Sequence, residues 1–84
     1  MRSLSSLPNV GRVLEKNLHS IGVYRPEQLM EMGSKEAFIR IRLIDSGACL
    51  HMLYGLEGAI EGVRYTWLDE DTKEDLRSFF NNLL

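Results

Sequence analysis

In its 84 residues the chain has one cysteine, two prolines and two histidines. A lone cysteine cannot build a disulfide framework, so Cys49 is expected as a free thiol in a reducing compartment. No stretch approaches the roughly 18 apolar residues of a membrane span. The opening Met1-Arg2-Ser3-Leu4 leads into polar and turn residues rather than the apolar run of a signal peptide. A soluble, cytoplasmic protein is the expectation. Basic charge is not in excess either: 10 Lys and Arg face 12 Asp and Glu, a net of −2, so overall charge gives no pull toward a polyanion. Groups for catalysis or metal binding are equally few. His19, His51 and Cys49 are the candidates, and Cys49 and His51, two apart on a helix, face different directions. The acids Asp69-Glu70-Asp71 and Glu74-Asp75 lack EF-hand spacing and read as a solvated helix start. No enzyme, cofactor or metal site is expected.

The composition is that of a folded domain, 44% hydrophobic and 26% charged. Length and composition imply a single domain over residues 1–84. Charge is unevenly spread. Residues 1–44 hold seven bases and four acids, and residues 45–84 hold three bases and eight acids. Such asymmetry either marks a polyanion-facing first half or is an accident of a short chain.

Helical periodicity dominates the pattern. Met1 to Leu7 suits a single turn, ended at Pro8. Asn9 is expected to cap a helix over about 10–20, with Val10, Val13, Leu14, Leu18 and Ile21 on one face and Gly22 closing it. Pro26 suits the start of a second, short helix carrying Leu29, Met30 and Met32, the methionines filling core gaps. Ser34 is expected to cap a third helix over 35–44. There Ile39-Arg40-Ile41-Arg42-Leu43 alternates like a strand, but Ala37, Phe38, Ile41 and Ile44 keep helical spacing and a lone strand would have no partner. A fourth helix over 49–61 buries Met52, Leu53, Leu56 and Ile60. Its interior Gly55 and Gly58 each cost roughly 1 kcal/mol of helix propensity, so a neighbour's backbone is expected to approach closely there. Tyr65 and Trp67 in the next connector are expected to fold onto the core. A fifth helix starts near Asp69–Thr72 and buries Leu76, Phe79, Phe80 and Leu83. The fold expected is an all-α, compact five-helix domain of helix-hairpin-helix or SAM-like type.

Residues Leu7-Pro8-Asn9-Val10-Gly11-Arg12-Val13-Leu14, continuing to His19-Ser20-Ile21-Gly22-Val23, look like a helix-hairpin-helix element. More widely, Leu53-Tyr54-Gly55-Leu56-Glu57-Gly58-Ala59-Ile60-Glu61-Gly62 and Gly33 to Arg42, with Glu36-Ala37-Phe38, resemble the C-terminal domain of the TfoX/Sxy family of bacterial competence regulators. The likeness extends from Leu7 to about Trp67. Tyr65 stands where that family carries a tryptophan, and the hairpin has one glycine where strong DNA-binding hairpins carry two. The family's N-terminal domain has no counterpart in these residues.

The resemblance implies a regulatory module without enzymatic activity. A hairpin of this kind binds duplex DNA by pointing main-chain amides, here of Val10, Gly11 and Arg12, at a phosphate beside a helix N-terminus. Arg12 and Lys16, one turn apart, would reach flanking phosphates. Gly47, in the turn before the fourth helix, would add a second, weaker anion site. On the bland reading Gly11 and Gly47 only permit tight turns. Two partners therefore stay open: double-stranded DNA, bound weakly and without sequence preference, or a transcription-related protein, with the domain acting as an adaptor. The position of Arg12, Lys16, Arg40 and Arg42, on one face or several, discriminates between them.

Overall fold

A computed structural model describes residues 3–83. Its elements are a 3-10 turn at Leu4–Ser6, α1 (Arg12–Ser20), α2 (Pro26–Met32), α3 (Ser34–Ile44), α4 (Leu50–Glu61), a second 3-10 turn at Tyr65–Trp67, and α5 (Glu70–Asn81). No strand occurs among the described residues, so the architecture is all-α as expected. The alternating segment of α3 resolves by burial: Ile41 is in the core, while Leu43 is 82% exposed. The radius of gyration, 11.7 Å, is the roughly 12 Å of a compact chain of this length. Of the expected first turn, Met1 and Arg2 lie outside the described residues.

α4 is the hub. It packs against α2, α3, α5 and the second 3-10 turn, while α1 lies on α3 and the first 3-10 turn. Leu53, Leu56 and Ala59 of α4 are completely buried, with Phe38 and Ile41 of α3, Leu18 of α1 and Leu29 of α2 around them.

Helix starts depart from the sequence reading at two places. Gly11, not Asn9, is the N-cap of α1. Val10 therefore precedes the helix, and its amide donates to the Leu7 carbonyl at 3.4 Å. Ser34 is the first residue of α3 rather than its cap. Its hydroxyl donates to Glu57 Oε1 at 2.6 Å and ties α3 to α4. Two starts fall where they are expected, each with a side-chain bond that the spacing alone does not assign. Pro26 opens α2, and Gln28 Oε1 reaches back to accept from the amides of Tyr24 and Arg25. Asp69 caps α5, accepting from the Thr72 amide at 2.7 Å.

Some residues expected inside are outside. Val13 is 72% exposed, Ile44 and Met30 are exposed, and Trp67 is 77% exposed. The core stripe of α1 is narrower than its sequence suggests, Leu14 and Leu18: α1 packs on α3 and the first 3-10 turn, and Val13 is left outside that packing.

Candidate functional site

The hairpin before α1 is built around Asn9. Its backbone has φ +70°, a left-handed conformation that asparagine tolerates better than most residues. This turns its side chain toward α4 instead of the start of α1. Asn9 Nδ2 donates to the Gly55 carbonyl at 3.3 Å and the Val63 carbonyl at 2.9 Å, and Asn9 Oδ1 accepts from the Tyr65 amide at 3.0 Å. The glycines of α4 make room for it. A Cβ at Gly58 would lie 2.5 Å from Asn9 Nδ2 and 2.7 Å from the Val63 carbonyl oxygen. The close approach expected at these glycines is thus an asparagine side chain and the connector after α4.

Locking Asn9 between α4 and the connector leaves a groove of about 470 Å³ between the start of α1 and α4. Gly11, Arg12 and Val13 form one wall, Met52 and Gly55 the other, and His51 and Tyr65 one end. The His51 and Tyr65 rings meet edge to face, 4.3 Å between centroids. Arg12 is the only Lys, Arg, Asp or Glu among the lining residues. The walls are otherwise mainly apolar.

Of the residues singled out for phosphate binding, Gly11 and Arg12 meet at this groove, and both are exposed. Lys16 is exposed one turn further along α1. Val10 is buried in the core, with its amide already engaged. The Gly47 amide donates to Asp45 Oδ1 at 2.9 Å, so a carboxylate of the chain itself occupies that turn. Asp45 Oδ2 in turn accepts from Asn17 of α1 at 3.4 Å.

The four cations do not share a face. Arg40 pairs with Glu36 at 2.8 Å. Arg42, two residues on and so pointing another way, lays its guanidinium over the Phe80 ring of α5 at 5.4 Å. Arg12 and Lys16 are left as a separate pair on α1.

The family-model comparison matches the TfoX C-terminal domain over residues 1–80 of the chain. The chain belongs to the TfoX C-terminal domain family. Two solved structures resemble this TfoX C-terminal domain over nearly its whole length. An uncharacterized protein from Listeria monocytogenes, in a triclinic form, is 48% identical with a TM-score of 0.96, covering 98% of this chain and 93% of that one. A protein of unknown function from Listeria monocytogenes, in a tetragonal form, is also 48% identical, with a TM-score of 0.94, covering 96% of this chain and 99% of that one. Among curated proteins none matches significantly.

A second, more polar depression of this TfoX C-terminal domain lies between α3 and α5. It is lined by Ser34, Lys35, Glu57, Asp71, Asp75 and Phe79, among others. Lys35 spans it, bridging to Asp75 at 2.7 Å while resting on Phe79. Beside it on α4, Glu61 shares a hydrogen bond with Glu57. That bond, then partial burial, then the charges of Glu57 and Asp69 push the Glu61 carboxyl up to about 7. Cys49 is an exposed free thiol. No group of three or more His, Cys, Asp or Glu gathers as a metal site among the described residues. No described helix is long and apolar enough to cross a membrane.

The sequence reading overlooked Asn9 as a plug and Val13, His51, Met52 and Tyr65 as groove residues. One signal was present: Val13 is apolar beside Arg12, Glu15 and Lys16.

Proposed function

We propose that this chain is a non-enzymatic regulatory module, of the kind that serves bacterial competence or transcription, and that it works by docking protein rather than nucleic acid. The observation that carries this reading is the surface at the hairpin. Where a DNA-binding hairpin offers converging amides in a basic field, this one offers a mainly apolar groove with Arg12 on its wall. Arg40 pairs with Glu36 and Arg42 lies against Phe80 of α5, and the Gly47 turn is filled by Asp45. A hairpin with two basic side chains engages only about two or three phosphates, too few for appreciable affinity at physiological salt.

Fluorescence anisotropy with a labelled duplex separates the readings. At about 50 mM salt and tens of micromolar protein, where even non-specific contacts register, no binding is expected. Binding with a log–log salt slope of about −2 to −3, abolished by the pair Arg12→Glu and Lys16→Glu, would establish weak duplex binding instead. A parallel capture from a bacterial lysate should retain a protein after nuclease treatment. The groove variant Val13→Glu should lose it.

A further inference from the structure

We infer that the groove between α1 and α4 receives Trp67 of a second copy of this chain, so that the domain pairs through a two-fold interface. This names the partner of the groove and rests on the protein-docking reading above. The largest apolar side chain of the protein is left in water, with Trp67 77% exposed. An aromatic of this size buries about 150–250 Å² when it finds a pocket and is the residue type most often found anchoring interfaces. The groove is its counterpart in chemistry, with walls from Val13, Leu14 and Met52 and the edge of Tyr65.

Charge fits the same pairing. The groove carries Arg12, with Lys16 one turn along the same helix. Trp67 is preceded by one base, Arg64, and followed by Asp69, Glu70 and Asp71. Those three acids are exposed, and the Glu70 side chain only loosely meets Lys73 at 3.8 Å. A tryptophan seated in a partner's groove would bring its acidic run toward that partner's α1. Position along the chain favours a closed pair over a filament. Tyr65 at the end of the groove and Trp67 share one 3-10 turn. Knob and groove therefore belong to the same end of the molecule. A surface bearing both halves of a contact is what a two-fold interface requires, and each contact is then made twice.

The experiment is sedimentation equilibrium of the full chain from about 1 to 500 µM, with tryptophan emission recorded on the same samples. Trp67 is the single tryptophan, so its emission reports this contact alone. The mass should rise from 9.6 kDa toward twice that value, and the emission should shift to shorter wavelength in step. Arg12→Glu and Glu70→Lys, each confirmed folded by circular dichroism, should each weaken pairing at least about ten-fold. Mixing the two should restore it, because each contact in the mixed pair again joins opposite charges. A chain that stays at monomer mass with constant emission overturns the inference. So does a dimer whose emission and stability ignore both substitutions, since it uses another face. A monomer that ignores DNA but holds a different protein through Val13 sinks the pairing and leaves the docking reading standing. A monomer that binds duplex DNA sinks both.

Discussion

Asn9 joins three parts of the chain that are far apart in sequence: the hairpin, the glycine face of α4 and the Val63–Tyr65 connector. Its replacement should therefore cost more than a surface change. Asn9→Gly keeps the left-handed backbone accessible but leaves the Val63 carbonyl and the Tyr65 amide without this partner. A loss of about 1–3 kcal/mol is expected for stranding such groups, measured by urea denaturation. A change within error would mean that water replaces the side chain at no cost. The two glycines opposite it make an internal comparison. Gly58→Ala gains about 1 kcal/mol of helix propensity, but its new methyl meets a backbone oxygen at 2.7 Å. A net loss of about 1–3 kcal/mol is expected from that overpacking. At Gly55 the added Cβ would lie 3.5 Å from Asn9 Cβ, an ordinary contact. Gly55→Ala should be neutral or stabilising by up to about 1 kcal/mol. Equal melting temperatures for the two alanine variants would contradict the steric account.

At the scale of elements, most helices were legible because apolar spacing and terminal chemistry agree. Pro26 opens α2 and α5 starts at the acidic Asp69-Glu70-Asp71 run, as their sequences indicate. The exceptions are residues whose side chains could bond either locally or across the fold. Asn9 and Ser34 both look like caps, yet both reach α4. A linear sequence does not reveal that competition, because the distant acceptor exists only once α4 has packed. Packing also sets the behaviour of α4 with pH. Glu57 and Glu61 are one turn apart, and Glu61 is held up to about 7 from 4.5 chiefly by its hydrogen bond with Glu57. In the folded state Glu61 keeps its proton where the unfolded chain has lost it. Its contribution to stability is complete below about 4.5 and fades as the pH rises through about 7. Glu61 is mostly exposed, so solvent screening keeps the effect small, on the order of 0.5 kcal/mol for a like-charge pair one turn apart. Glu61→Gln should melt with the wild type at pH 5 and above it at pH 8. A wild type that loses nothing relative to this variant between those values would refute the shared proton.

At the scale of the whole molecule, the groove was the least legible feature. Its walls come from residues some 40 positions apart, and neither wall is unusual on its own. Val13 and Trp67 are apolar, and sequence alone places such residues inside by default. Whether an aromatic in a connector finds a slot or stays in water depends on space left by the other helices. α4, by contrast, announced itself through Leu53, Leu56 and its glycines, and it touches α2, α3, α5 and the connector. A helix with that many neighbours should make unfolding all-or-none. Leu56 is completely buried, and its truncation to alanine leaves a cavity that rigid neighbours on several sides cannot collapse into. Leu56→Ala should cost about 2–5 kcal/mol, a large share of the roughly 5–15 kcal/mol that a small domain has in total. Because α2, α3 and α5 lean on α4 directly and α1 leans on α3, that loss should lower the midpoint of one transition rather than split it in two. Scanning calorimetry of wild type and variant checks this. Equal calorimetric and van't Hoff enthalpies are expected in both, with a lower melting temperature in the variant. A van't Hoff enthalpy well below the calorimetric one in the wild type would mean that α1 or α5 melts separately, and α4 would then not be the hub of the fold.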